Sequence, residues 1–303
     1  MVAVLAGGTG GAKLARGMLD VVGPRELGVI VNTADDVEVY GVHVSPDPDL
    51  VTYRLADVID EERGYGLRGD TWEVMASLKR VGEPAWFQLG DRDLAICLAR
   101  TRRLRAGETL TAATGAIARG LGVGASVLPI TDDEVRTTVV SSGRRVPFQE
   151  FMVRHGHAGP VEGVELDGID AARPTARVLE TIASAEAIVI GPSNPVISIG
   201  PILATLGLRS AIASSPAPVV AVSPFVGGGV VKGPTTAFCE WAGLPLDARV
   251  LTAAYGNLLD GVVADEPARG EGVAWAEVDT LMNSPTRRRD VAAAALDLAR
   301  SVS

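Results

Sequence analysis

Short runs of consecutive apolar residues, each ending in glycine or small polar residues, recur along this chain, separated by segments with apolar residues at helical spacing. The first run, Val2–Ala6, breaks into Gly7-Gly8-Thr9-Gly10-Gly11-Ala12-Lys13. That pattern predicts a buried strand turning sharply into a helix. Residues 14–22 carry the helix, Gly23-Pro24 stops it, and Leu27–Val31 is a second buried strand. Strand, glycine turn, helix and strand within about thirty residues make one βαβ unit, whose crossover is right-handed. The theme returns twice. Ala187–Ile190 runs into Gly191-Pro192-Ser193-Asn194-Pro195, and Val219–Val222 runs into Ser223-Pro224, then Gly227-Gly228-Gly229 and Lys232-Gly233-Pro234.

The remaining pattern fills in the architecture. Helices are predicted over residues 50–63 and 71–81, the second behind an Asp70-Thr71 cap. A short apolar stretch at 86–89 precedes Gly90-Asp91-Arg92-Asp93, whose acids are expected to cap the next helix and pair with Arg92. Residues 101–121 read as helix interrupted at Gly107, with basic residues on a solvated face. From about residue 128 short strand-like pieces at 137–141 and 146–153 replace the alternation, predicting a small α+β insertion. A helix over 174–185 restores it, a further strand and turn fall within 247–265, and Ser284-Pro285 opens a C-terminal helix. The expected fold is α/β: a Rossmann-like, doubly wound, mostly parallel sheet formed by 1–130 and 175–303, with 131–174 inserted.

Composition narrows the function. The 303 residues are 47% hydrophobic and 21% charged, an ordinary globular balance. A formal net charge of −9 argues against non-specific binding to nucleic acid or anionic membranes. Cys97 and Cys239 are too few and too far apart for a disulfide framework or a cysteine zinc site, and are expected as core thiols. The first apolar run is too short to span a bilayer and no charged leader precedes it, so a cytoplasmic protein is expected.

The glycine loop is the first candidate for chemistry. Glycines let the backbone approach a ligand, and the N–H groups opening the next helix attract an anion, with Lys13 able to add charge. The third glycine of the dinucleotide fingerprint and the Lys-Ser/Thr of the P-loop are both missing, so a nucleotide site is favoured with its class open; the alternative is a turn that only packs helix on strand. Asn32-Thr33-Ala34-Asp35-Asp36 follows the second strand at the same rim, where ligands of such sheets lie. Gly41 to Asp49 contains Pro46-Asp47-Pro48-Asp49. It reads either as a solvated turn or as carboxylates that join Asp35 and Asp36 beside phosphates, where Mg²⁺ is the usual guest. His155 and His157 are expected to be exposed rather than metal ligands.

These segments together resemble the 2-phospho-L-lactate transferases of coenzyme F-420 biosynthesis, including the phosphoenolpyruvate-transferring form. The resemblance rests on the order and spacing of Gly7-Gly8-Thr9-Gly10 with Lys13-Leu14, Val31 to Asp36, Pro46-Asp47 with Asp49, and Leu89 to Asp93. It continues through Phe148 to Phe151, Gly191 to Pro195 with Ser198 to Pro201, Val220 to Pro224, and Asp279 to Met282. It implies Mg²⁺-dependent transfer of a three-carbon acid phosphate from a guanosine-diphosphate-activated donor to the ribityl hydroxyl of the deazariboflavin Fo. GMP is the implied leaving group, and a homodimer the implied assembly. The nucleotide and phosphate residues expected are Gly8, Thr9, Gly10, Gly11, Lys13, Asn32, Thr33, Asp35, Gly191, Ser193, Asn194, Ser223 and Gly228. Asp49 and Gln88 match the acceptor positions, with glutamine where the family often has lysine. Asp47 and Asp49 are the candidate metal ligands and catalytic carboxylates. Ile96-Cys97 stands where the family often has Thr-His, pointing to a structural role for that helix. The competing class is a nucleotide-sugar-binding regulator of the gluconeogenesis-factor type, which shares the glycine loop and the Ala-Asp-Asp segment; Pro46 to Asp49 and Leu89 to Asp93 favour the transferase.

Overall fold

The computed structural model describes residues 1–231, 233–267 and 272–303; Lys232, part of the predicted glycine-rich segment, lies outside the described residues. Seven strands form the central sheet: β1 (Val2–Ala6), β2 (Leu27–Val31), β3 (Ser126–Pro129), β4 (Ala187–Ile190), β5 (Val219–Val222), β6 (Gly261–Ala264) and β7 (Ala274–Glu277). All neighbours are parallel and the spatial order is β7-β6-β5-β4-β1-β2-β3. Chain order reverses between β1 and β4, which is where a doubly wound sheet opens a ligand crevice.

The unbroken apolar runs follow from burial on both faces of a parallel sheet. Val2, Val4 and Ala6 face α1 (Gly8–Val22) and the C-terminal helix Pro285–Ser301, whereas Ala3 and Leu5 face Ile182, Ile199 and Ile202 on the opposite layer. Each fully buried aliphatic side chain contributes about 1.5–3 kcal/mol. Gly17 of α1 lies so close to the C-terminal helix that a β-carbon there would strike the Arg288 carbonyl. Ser284 caps that helix by accepting from the Arg287 N–H at 3.2 Å, with proline at its first position as helix entry favours.

Two additions surround the sheet. Between β3 and β4 lies an antiparallel sheet of Arg136–Ser141, Arg144–Pro147 and Gly163–Asp167. The long second strand expected over 146–153 ends at Pro147, and Glu150–Arg154 forms a π-helical turn. Between β2 and β3 the hairpin Val37–Val39/Val42–Val44 packs with the helix Glu73–Arg80 and the longer helix Asp91–Arg105 around Met75, Leu89 and Cys97.

Helix α2 (Pro46–Leu55) departs from the pattern-based boundaries at both ends. It starts at Pro46 because proline's fixed φ and missing N–H suit a first helical position. It ends at Leu55, and the chain reverses through Asp57 at φ 56°. The helix expected over 101–121 is interrupted at Gly107, φ 87°, as its sequence indicates, but its first half is the end of a longer helix, Asp91–Arg105, and the second is Leu110–Gly120.

The caps near residue 90 are also exchanged. Asp70 accepts from the backbone N–H groups of Arg92 (2.9 Å) and Asp93 (3.1 Å), while Asp91 accepts from those of Glu73 (3.1 Å) and Val74 (3.0 Å). Each aspartate caps the other's helix, so the two helices are fixed to one another. Among the described residues no helix is long and apolar enough to cross a membrane.

Candidate active site

The glycine loop and the Gly191–Pro195 turn close on each other across the β1/β4 switch point. A β-carbon at Gly10 would meet the Pro192 carbonyl oxygen, and one at Gly11 would come within 2.6 Å of Ser193 Oγ. Ser193 Oγ accepts from Gly7 N–H at 3.1 Å and donates to the Gly7 carbonyl at 2.5 Å. Packing therefore explains part of the glycine pattern. Gly8, at φ 61° with open space around its α-carbon, is the position that turns the chain into α1.

A cavity of about 690 Å³ lies over this junction. It is walled by Gly8, Thr9, Gly10 and Lys13, by Asn32 and Asp35, and by Ser193, Asn194 and Ser223. The segment that follows the second inserted strand supplies Phe148, Gln149, Met152 and Val153. Gln149 Nε2 donates to the Asp35 carbonyl at 3.0 Å, which ties that insertion to the rim. Four expected residues stand outside the wall. Gly11 and Gly191 pack the two turns together, Thr33 is buried beneath the rim, and Gly228 occupies an exposed hairpin tip. Several wall residues already have hydrogen-bond partners in their own turns. Asn194 Oδ1 accepts from Val196 and Ile197 N–H, and Ser223 Oγ accepts from Phe225 N–H.

A second cavity of about 350 Å³ adjoins the first and is largely apolar, with Val44, Leu50, Tyr53, Phe87 and Leu89 in its wall and Asp49, Gln88 and Asp93 among its polar groups. Pro46, Asp47, Tyr65 and Val153 belong to both walls. Asp47 thus stands where the cavities meet.

Asp47 and Asp49 lie two positions apart in the first turn of α2 and their carboxylates have different partners. Asp47 Oδ1 accepts from Gly8 N–H at 2.6 Å and its Oδ2 from Asn32 Nδ2 at 3.1 Å. The same Asn32 amide lies 3.4 Å from Asp35 Oδ1. Burial, opposed by these donors, pushes the Asp47 carboxyl up to about 6. Burial, then the Asp47 and Asp36 charges, lifts Asp35 well above the carboxylate range. Asp47 is thereby linked to Asp35 through the shared Asn32 amide.

Asp49 instead forms an ion pair with Arg100, a fully buried residue of the Asp91–Arg105 helix that also donates to the His43 carbonyl at 3.3 Å. Burial still raises the Asp49 carboxyl above its ordinary range. Beside it, Asp93 Oδ1 accepts from Tyr53 Oη at 2.7 Å, and burial with the Asp49 charge lifts Asp93 to about 6. Asp49, Asp93 and Cys97 cluster closely enough to share a cation, but burial pushes the Cys97 thiol up and Arg100 occupies the charge position. Asp36 accepts from Ser45 Oγ at 2.7 Å and lies 2.8 Å from His43 Nε2, which fixes the hairpin. His155 and His157 are exposed, and His157 reaches the larger cavity wall.

Arg100, Tyr53, Tyr65 and Asp93 are site residues that pattern reading did not assign. Arg100 sits three residues beyond Cys97 and seven beyond Asp93, on one face of a helix with an apolar stripe, a spacing that marks it as inward-facing. Gln88 is exposed at the mouth of the smaller cavity, its amide donating to the Ala85 carbonyl.

The fold and site define a class: a Rossmann-type α/β protein with a switch-point cavity, a second apolar cavity joined to it, and the buried carboxylate of Asp47 on the shared wall. Residues 2–284 match the family model described as 2-phospho-L-lactate transferase CofD, and the chain belongs to that family. It is 42% identical to a phosphoenolpyruvate transferase of Kitasatospora aureofaciens, over 99% of this chain and 98% of that protein. It is 36% identical to a 2-phospho-L-lactate transferase of Methanosarcina acetivorans, over 95% of this chain and 96% of that protein. Its fold is shared with a crystal structure of a UPF0052-family protein from Bacillus halodurans, at TM-score 0.56 and 18% identity, covering 88% of this chain and 81% of that one.

Proposed function

We propose that this transferase moves a phospholactyl or phosphoenolpyruvyl group from a guanosine-diphosphate-activated donor to the ribityl hydroxyl of Fo, releasing GMP. The observation that carries the reading is the joining of two unlike cavities at Asp47. The larger, with backbone N–H groups and Lys13 in its wall, suits a nucleotide diphosphate. The smaller, with Phe87, Tyr53 and Leu50, suits a flat heterocycle. A hydroxyl presented from the second cavity meets the donor phosphorus near Asp47, and phosphoryl transfer of this kind depends mainly on positioning and charge stabilisation.

Asp35 and Asp47 fit a divalent cation: two buried carboxylates share one amide, and both are held above their ordinary pKa by burial. Mg²⁺ held there would offset the phosphate charge as the P–O bond to GMP breaks. Asn32 orients both carboxylates, Gly8 N–H fixes Asp47, and Arg100 holds Asp49 in the acceptor wall. Asp93 and Asp49 offer acceptors for hydroxyl or N–H groups of Fo.

Mass spectrometry after incubation with Fo, Mg²⁺ and each guanylated donor tests the reading. GMP and a deazaflavin phosphodiester are expected together. Donor binding without turnover would favour the nucleotide-binding regulator, and GMP release without the phosphodiester would reject Fo as acceptor.

A further inference from the structure

Tyr65 is half exposed, at 51%, although it lies in the walls of both cavities. A ring standing in the walls of both cavities is placed to touch a ligand entering either one. Val153, 43% exposed on the π-helical turn of the inserted sheet, belongs to the same two walls. Two apolar side chains from unrelated parts of the chain thus border the passage that contains Asp47.

The loop presenting Tyr65 is firmly anchored. Gly64 and Gly66 flank the residue with positive φ, at 77° and 67°, and place it at the tip. Below the tip, Asp60 N–H donates to the Gly66 carbonyl at 3.0 Å and Arg68 N–H to the Val58 carbonyl at 2.8 Å. Arg63 Nε donates to Asp60 at 2.9 Å, and its guanidinium lies 5.0 Å from the Trp72 ring centre. Glu61 pairs with buried Arg54 of α2 and with Arg288 of the C-terminal helix. Such anchoring holds a wall in place; a loose surface turn needs none of it.

On the transferase reading, which this inference presupposes, water competes with the acceptor hydroxyl for the same phosphorus. Attack by water at that phosphorus breaks the same P–O bond and yields GMP plus the free three-carbon acid phosphate, whereas attack by the hydroxyl yields GMP plus the phosphodiester. Excluding water from the junction selects the second outcome. We infer that the Tyr65 ring, which with Val153 borders the passage between the cavities, is the specificity determinant that keeps the donor from hydrolysis.

The test measures GMP and phosphodiester separately, with donor, Fo and Mg²⁺, for wild type, Tyr65→Ala and Tyr65→Phe. Wild type and Tyr65→Phe are expected to form the two products in equal amounts, because the ring rather than the hydroxyl fills the passage. Tyr65→Ala is expected to release GMP in severalfold excess over phosphodiester, with the free acid phosphate making up the difference. Equal amounts from Tyr65→Ala, at whatever rate, would overturn the inference, as would excess GMP from Tyr65→Phe. A wild-type protein that forms no phosphodiester would instead refute the transferase reading beneath it.

Discussion

Replacing Asp47 by asparagine should make the protein more stable and less active. Ionised Asp47 is disfavoured in the fold: a carboxyl raised from its ordinary 3.8 to about 6 costs about 3 kcal/mol when charged. Asparagine keeps an oxygen for the Gly8 N–H but opposes an amide to Asn32 Nδ2, a loss of about 1 kcal/mol. The net gain near neutral pH is about 1–2 kcal/mol, equivalent to a few degrees in Tm for a chain of this size.

The sign with pH follows from linkage. The folded pKa lies above the unfolded one, so the native state holds the proton longer and the carboxyl's penalty grows as pH rises from about 4 to about 6. At about pH 4.5 the penalty has shrunk to about 1 kcal/mol and the advantage of asparagine vanishes. On the proposal that Asp47 helps hold a charge-stabilising cation, its loss should lower turnover about a hundredfold or more. Thermal melts by circular dichroism at the two pH values, with a coupled turnover assay, read all three effects. A variant that melts lower than wild type at neutral pH, or gains equally at both pH values, would refute the reasoning.

Other substitutions probe separate parts of the site. Arg100→Met leaves Asp49 buried without its partner and should cost about 3–5 kcal/mol in denaturant unfolding, with Arg100→Met/Asp49→Leu recovering part of the loss. Gly10→Ala forces the glycine loop away from the Pro192 carbonyl, for a loss of about 1–3 kcal/mol and weaker GDP binding by calorimetry. Millimolar Mg²⁺ should raise the Tm of wild type but not of Asp35→Asn/Asp47→Asn, since only a bound cation stabilises by mass action.

The sheet was legible because parallel strands buried on both faces are unbroken apolar runs, and β1, β2, β4 and β5 each run into glycine, amide or hydroxyl residues that mark the rim. β3 and Gly163–Asp167 carry polar or charged residues in short pieces, and periodicity does not distinguish such pieces from loops. The start of α2 was masked by Pro46 and Pro48, which favour turns as readily as a helix's first residues. The candidate site divided along similar lines. Gly8, Thr9, Gly10 and Lys13 of the glycine loop fall at the larger cavity because local sequence determines a turn. The Asp35–Asp47 pairing and the Asp49–Arg100 ion pair depend on how α2 packs between the glycine loop and the Asp91–Arg105 helix, contacts between residues distant in sequence. The basic residues predicted on a solvated face largely stay there, with Arg102 and Arg105 exposed, but Arg100 just before them turns inward.

A crystal structure with GDP, Mg²⁺ and Fo bound together tests the proposed transfer most directly. The diphosphate is expected against Thr9 and Gly10, the cation on Asp35 and Asp47, and the Fo ring beside Tyr53 and Phe87 with its ribityl hydroxyl reaching the Asp47 wall. Fo bound in the larger cavity, or a cation held away from both aspartates, would contradict it.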